Sequence, residues 1–189
     1  ADRSDKLTGG RIVHDVKKKA DPNAEIVTNY GHHIYYLCFN MRRKPLDADV
    51  LRQAIAHLVD RDSIIAEVFQ GTVLPLSSFL PPSSAFHKDD ATVRLFDPAK
   101  AAEILDAAGY TMDADAKVRK DPAAGKQMRE LRLLAPSESP GVAKMIAQTC
   151  SAVGLPVKAE LEPFNAMRNR IDKFEFDMYV LATTMSRFP

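Results

Sequence analysis

The feature that most limits the fold is an alternation of strand and helix patterns in the last third of the chain. From residue 129 onward, strand patterns at 131–134, 157–161 and 176–182 alternate with two amphipathic segments that have helical spacing. Helices that each connect two strands have to pack on the sheet that those strands form. The order of the elements therefore predicts an α/β fold, with helices packed on a sheet.

Cap residues predict where several of the helices begin and end. Asp97, which is followed by proline, supplies a capping carboxylate and then a residue suited to the first helical position. Ser139, also followed by proline, is predicted to open a later helix in the same way. Gly154, followed by leucine, is predicted to end that helix as a glycine cap with an apolar residue after it.

The middle of the chain carries further elements. The near-continuous apolar run at 34–39 predicts a strand covered on both faces. Residues 48–59 have helical apolar spacing, and a second helical segment follows and ends at Gly71. The charged stretch 111–127 is predicted to be a loop. No linker or repeat is visible, so we interpret residues 1–189 as a single domain.

Three consecutive charges, Asp60-Arg61-Asp62, separate the two helical segments and raise the question of catalysis. Two carboxylates this close in sequence do not face each other across a substrate. Asp60 is instead placed to accept hydrogen bonds from the free N–H groups of the next helix, and Asp62 to lie in its first turn, where the helix dipole favours negative charge. The triplet is therefore interpreted as a helix boundary.

Charge and composition exclude several classes of partner. The formal net charge of +1 provides no overall field that would select nucleic acid. No apolar run approaches the ~20 residues that a membrane span needs, and no signal peptide is visible at the start of the sequence.

Cys38 and Cys150 have no metal-binding spacing. We interpret both as small buried apolar residues, with a disulfide between them as the alternative.

The sequence contains no recognisable catalytic, metal or cofactor motif. Asp113-Ala-Asp115 begins like a calcium loop, but the later ligand positions are wrong. His32 and His33 are adjacent on a predicted strand and point to opposite faces, so they are not expected to share one ion. Nucleophile elbows and glycine-rich phosphate loops are missing. We therefore expect no catalytic residues, no metal and no cofactor.

Several short motifs, in unbroken order, resemble one family. They are YLCFN at 36–40, KPLD at 44–47, LRQAI at 51–55, LVDRDSI at 58–64 and DPAKA at 97–101. Leu105 and Ala108-Gly109-Tyr110 continue the pattern. The set resembles the family 5 extracellular solute-binding proteins, which are the dipeptide, oligopeptide and nickel-type receptors of ABC importers. The likeness extends over roughly residues 30 to 185.

The resemblance implies a fold and a function. It implies one lobe of a type II periplasmic-binding-protein-like fold, with a mixed sheet. It also implies a substrate-binding component that captures a peptide or other polar solute and delivers it to ABC permease subunits, in the periplasm or outside the cell. The chain would be the second lobe, with residues 1–30 and 183–189 near the crossings to a missing first lobe. A freestanding α/β enzyme domain, and a sensor or chaperone built on the same fold, are the alternatives.

The resemblance also implies which residues face the ligand. They lie at the entry of the first strand, in the loop after the 131–134 strand and at the exit of the last strand: His33, Tyr35, Ser137, Glu138, Ser139, Thr183, Thr184, Ser186 and Arg187. Peptide-binding relatives often carry a Gly-Trp pair and a nearby Asp at this exit. Here Ala182-Thr183 and Ser186 stand in their place. This departure argues against a peptide with a free amino terminus, and Arg187 would suit an anionic or sugar-like ligand.

Overall fold

The computed structural model of the chain describes residues 33–76, 78 and 93–184. The described residues belong to two compact units. The first contains residues 33–34, 61–76, 78, 93 and 183–184, and the second contains residues 35–60 and 94–182. Within the described ranges, no helix has both the length and the apolar character needed to cross a membrane. The expectation of one domain stays a prediction.

The described helices are short, and four of the five belong to the second unit. Helix α2, Arg61–Glu67, lies in the first unit. The helices of the second unit are α1 (Asp49–His57), α3 (Pro98–Ala107), α4 (Gly141–Ala152) and α5 (Phe164–Asp172).

A four-stranded mixed sheet is formed mainly by the second unit, and only the first two residues of β1 and the last two of β7 are assigned to the first unit. Its strands are β1 (His33–Phe39), β5 (Leu131–Pro136), β6 (Val157–Glu162) and β7 (Met178–Thr184), in the spatial order β1-β7-β5-β6. Strand β5 is parallel to both of its neighbours. Strand β1 runs antiparallel to β7, because Asn40 beyond one end of β1 bonds to Asp177 and His33 at the other end contacts Thr184. The predicted α/β fold with a mixed sheet is confirmed.

Both faces of the central strand β5 are buried. Leu131 and Leu133 point to one face, and α4 packs against β5 and β6. Leu134 points to the opposite face, where it forms a cluster with Met167 of α5 and Phe176. The connections β5-α4-β6 and β6-α5-β7 run in opposite directions across the sheet, and right-handed crossovers then place the two helices on opposite faces. This layering explains why Leu133 and Leu134, which are adjacent and point to opposite faces, are both buried.

The predicted helix boundaries are correct at some positions and wrong at others. The predicted end of the second helical segment at Gly71 is wrong, because α2 ends at Glu67. Lys100 N donates to Asp97 Oδ1 over 2.8 Å, so the predicted cap of α3 is confirmed. Asp62 lies in the first turn of α2, as predicted, whereas the capping role of Asp60 stays a prediction. The predicted cap at Ser139 is wrong. Helix α4 begins one residue later, at Gly141, with Pro140 at the N-cap position and no side-chain cap bond.

The glycine cap after α4 is present. Gly154 has a φ of +82°, a conformation that L side chains rarely adopt, and the following Leu155 N donates to Cys150 O over 3.0 Å. A Cβ at Gly154 would lie 2.5 Å from Met112 Cε. Close packing and backbone conformation therefore both favour glycine there.

The charged stretch 111–127 is ordered, contrary to the predicted loop. It forms a three-stranded antiparallel sheet from β2 (Met112–Asp113), β3 (Val118–Asp121) and β4 (Lys126–Gln127). Arg119 of β3 is only 3% exposed and donates to the backbone oxygens of Tyr110 and Val153. The sequence pattern did not indicate this sheet, because its buried side chain is an arginine that bonds to carbonyl groups and not an apolar residue.

Strand β1 is present, as the sequence predicts. The prediction that both of its faces are covered is wrong. Ile34 is buried, whereas Tyr35 is 48% exposed and the residues after it are half-buried. In the order of the described strands β1 stands at one edge, and this position explains the partial exposure.

Cys38 on β1 and Cys150 on α4 are both free thiols, and burial raises the pKa of Cys150 to about 12.

A buried polar cluster joins the end of β1 to the start of β7. The side chain of Asn40 donates to the backbone oxygens of Phe174 and Phe176. The fully buried Asp177 carboxylate accepts two hydrogen bonds, of 2.9 and 2.8 Å, from the guanidinium of Arg129 and one of 2.9 Å from the Arg132 amide. The Phe39-Asn40 part of the recognised motif therefore has a structural role.

Candidate functional site

The sheet topology indicates where a ligand would bind to the second unit. Strand β5 continues through α4 to β6 on one side, and the chain then returns through α5 to β7 on the other side of β5. In open α/β sheets, ligands bind outside the carboxyl ends of the strands where the strand order reverses in this way. In this sheet the reversal lies between β5 and β7. The segment that leaves β5 is 137–139, which is one of the segments implied by the family resemblance.

The loop at 137–139 is held by backbone bonds and exposes its side chains. Ser137 N donates to Glu162 O over 2.9 Å, and this bond ties the loop to the carboxyl end of β6. Ser139 N donates to Pro136 O over 3.1 Å and closes a tight turn. Ser137, Glu138 and Ser139 are all exposed. The loop therefore presents two hydroxyl groups and one carboxylate at the carboxyl edge of the sheet.

A second group of the implied residues lies in the first unit. Thr184 Oγ1 is 3.1 Å from His33 Nδ1, so the strand entry of β1 and the strand exit of β7 meet there. Thr183 is exposed beside them. The pair offers a hydroxyl and an imidazole, which both donate and accept hydrogen bonds.

The other implied residues are not part of these two groups. Tyr35 is exposed on β1, and β7 separates that strand from β5 and its loop. Ser186 and Arg187 lie outside the described residues, so their implied roles stay predictions. Across the described ranges, no group of three His, Cys, Asp or Glu side chains is placed to hold a metal ion.

The sequence patterns did not indicate two apolar side chains at the same edge of the sheet. Leu161 is 37% exposed near the end of β6, and Phe164 is 44% exposed at the start of α5. On the same helix, Met167 is buried. The position of Phe164 in the sequence could have indicated its exposure, because it comes two residues after the carboxyl end of a parallel strand.

The site has the chemistry of a binding surface. In the second unit, the loop at 137–139 offers hydroxyl and carboxylate groups, and the exposed side chains of Leu161 and Phe164 lie at the same edge of the sheet. This mixture suits recognition of a small polar ligand that has an apolar part.

Comparison with known proteins identifies a family. The model of the bacterial extracellular solute-binding proteins, family 5 Middle, matches residues 8–189. Heme-binding protein A of Haemophilus influenzae is 34% identical over 94 residues, which are 50% of this chain and 17% of that protein. The dipeptide-binding protein of Escherichia coli is 33% identical over 93 residues, which are 49% of this chain and again 17% of the relative.

A solved structure shows the same fold. The oligopeptide-binding protein AppA of Bacillus subtilis, in complex with a nonapeptide, superposes with a TM-score of 0.78 at 20% identity. The superposition covers 97% of this chain and 37% of AppA. The fold is thus that of the type II periplasmic binding proteins. Since the family model matches most of its length, this chain belongs to the bacterial extracellular solute-binding proteins of family 5.

Proposed function

We propose that this chain is one lobe of the substrate-binding component of an ABC importer. The observation that supports the proposal most strongly is the family match over residues 8–189. The site agrees with it, because the loop at 137–139 leaves the strand-order reversal at which α/β sheets bind ligands. Its role would be to capture and deliver a solute, without making or breaking a bond.

The proposal requires parts that are not in this chain. The aligned segments are 17% of the length of the two curated relatives, so a first lobe would come from elsewhere in the same protein. Ligand would bind between the lobes, which would close on it by a hinge motion. The closed protein would then deliver the solute to permease subunits at the membrane, in the periplasm or on the outer cell surface.

The ligand class follows from the side chains at the site. Thr183 stands where the resemblance leads us to expect Trp, and Ser186 where it leads us to expect Asp. A serine hydroxyl does not replace a charge-assisted bond between a carboxylate and an ammonium group. We therefore propose a polar ligand, a peptide or another small solute, that is held by hydrogen bonds and does not depend on a free amino terminus.

The test is a ligand screen on the full-length protein, followed by a variant. Di- and oligopeptides, opines, sugars and metal chelates are screened by thermal shift. Ligand at about 100 times its Kd should stabilise the protein by about 2.7 kcal/mol.

Thr184→Val should then weaken the binding of a confirmed ligand by about three- to tenfold, the effect of one lost hydrogen bond. Thr111→Val, at an exposed position outside the site, should leave the affinity unchanged. Equal loss in both variants would contradict the placement of the site.

A further inference from the structure

A groove of about 790 Å³ runs along β6 in the second unit. The side chains that line it differ in charge between its two ends. Glu160, Glu162 and Arg170 lie towards the carboxyl end of β6, next to the loop at 137–139. Arg43, Arg132 and Lys158 form the other end, which we call the basic end, and Glu175 also lines the groove.

The acidic end is partly neutralised by its own arginine, since one guanidinium group pairs with two carboxylates. Arg170 Nη1 donates to Glu160 Oε2 over 2.9 Å and also to Glu162 Oε1. Its Nε and Nη2 donate to Glu175 O. Because these bonds occupy all three guanidinium nitrogens of Arg170, this end offers little to a charged ligand.

The basic end carries an excess of positive charge. Arg129 forms a two-bond pair with Asp177 and donates its Nε to Lys44 O, so this arginine already neutralises the buried carboxylate. Arg43 Nε lies 3.3 Å from Asp177 Oδ1 and Arg132 Nε lies 3.8 Å from Oδ2, so two more guanidinium groups share a single negative charge. Their side chains are 34% and 33% exposed, and both residues line the groove.

A third cation stands beside them. Lys158 is directly opposite Arg132 in the parallel pairing of β5 and β6, so the two side chains lie on the same face of the sheet. Among the described residues, its one ion pair is with Glu130 at 3.9 Å, and both side chains of that pair are more than half exposed. Such a pair contributes little and leaves the ammonium group available.

We propose that the basic end of this groove, formed by Arg43, Arg132 and Lys158, binds a doubly charged oxyanion of the phosphate or sulfate class. Two guanidinium groups beside a buried carboxylate present planar donor pairs, which match the oxygens of such an anion. The anion neutralises the excess charge, and a concave surface strengthens the local field. The site lies at the amino ends of β5 and β6, opposite the edge that carries Ser137.

The test is an NMR titration of the isotope-labelled chain with inorganic phosphate at constant ionic strength. Millimolar phosphate is too dilute for general salting effects on stability. The amide signals of residues 43, 132 and 158 should shift together and saturate. Acetate, which carries one charge, should bind about tenfold or more weakly.

Two variants decide between a site and general charge attraction. Lys158→Gln and Arg132→Gln should each weaken phosphate binding by about tenfold. Lys100→Gln removes an exposed lysine outside the groove and is the matched control, with unchanged binding expected. An amide spectrum that is otherwise preserved shows that each variant is folded. Shifts that are scattered, do not saturate, or persist in both groove variants would overturn the proposal.

Discussion

At the scale of single residues, the buried carboxylate of Asp177 connects segments that are far apart in the sequence. It is fully buried, and its partners come from the segment after β1, from the segment before β5 and from β5 itself. A buried charge is tolerated only when it is paired and hydrogen-bonded. Asp177 thus joins these three segments at the start of β7.

Replacing this carboxylate should strongly destabilise the second unit. Asp177→Asn keeps the shape of the side chain but removes the charge that holds Arg129, and breaking a buried pair of this kind costs about 3 kcal/mol. Denaturant unfolding of the variant and of the exposed control Asp172→Asn measures the difference. A loss at Asp177 no larger than at the control would show that the cluster adds nothing to stability.

The same carboxyl group should make stability depend on acid. Burial by itself would raise the pKa of Asp177, but the hydrogen bonds from Arg129 and the Arg132 amide outweigh it and lower the pKa below its ordinary value. Its contribution to stability is therefore complete above the unfolded pKa of about 3.9 and is lost as the pH falls through the folded pKa. Unfolding free energies measured from neutral pH down to acid should fall less steeply in Asp177→Asn than in the parent protein. Parallel curves would contradict the assignment.

At the scale of elements, local cap chemistry distinguishes two helix starts that look alike in sequence. Asp97 and Ser139 both precede proline, yet only Asp97 makes the cap bond. Asp97→Ala should cost about 1 kcal/mol of unfolding free energy. Ser139→Ala should stay within about 0.5 kcal/mol of the parent protein. Thermal or denaturant unfolding of the two variants tests this directly, and equal losses would mean that Ser139 also caps its helix.

Sequence patterns predicted the elements that are defined by apolar spacing or by cap residues. The β5-α4-β6-α5-β7 order, the Asp97 cap and the Gly154 cap could all be predicted, because each depends on neighbours in the chain. The small sheet at 112–127 could not, since it is held by a buried arginine that bonds to backbone oxygens. The exposure of Phe164 was missed for a related reason, because helical spacing does not show which residue stands at a sheet edge.

At the scale of the whole molecule, the prediction of the site was less complete than the prediction of the fold. The implied residues at 137–139 do lie at the strand-order reversal, and His33 does meet Thr184. These two groups belong to different units of the chain, and Ser186 and Arg187 lie outside the described residues. Sequence patterns carry no information on how far two lobes close around a ligand, so the complete site could not be derived from them.

The central proposal is that this chain supplies one half of a binding cleft. The most direct test is isothermal titration calorimetry of a confirmed ligand against the full-length protein and against the 189-residue chain alone. The two-lobe interpretation predicts 1:1 binding to the full-length protein. It predicts affinity for the isolated chain that is weaker by about 100-fold or more, because each 1.4 kcal/mol of lost contact is worth a factor of ten. Equal affinity for both proteins would show that the chain holds a complete site and would contradict the proposal.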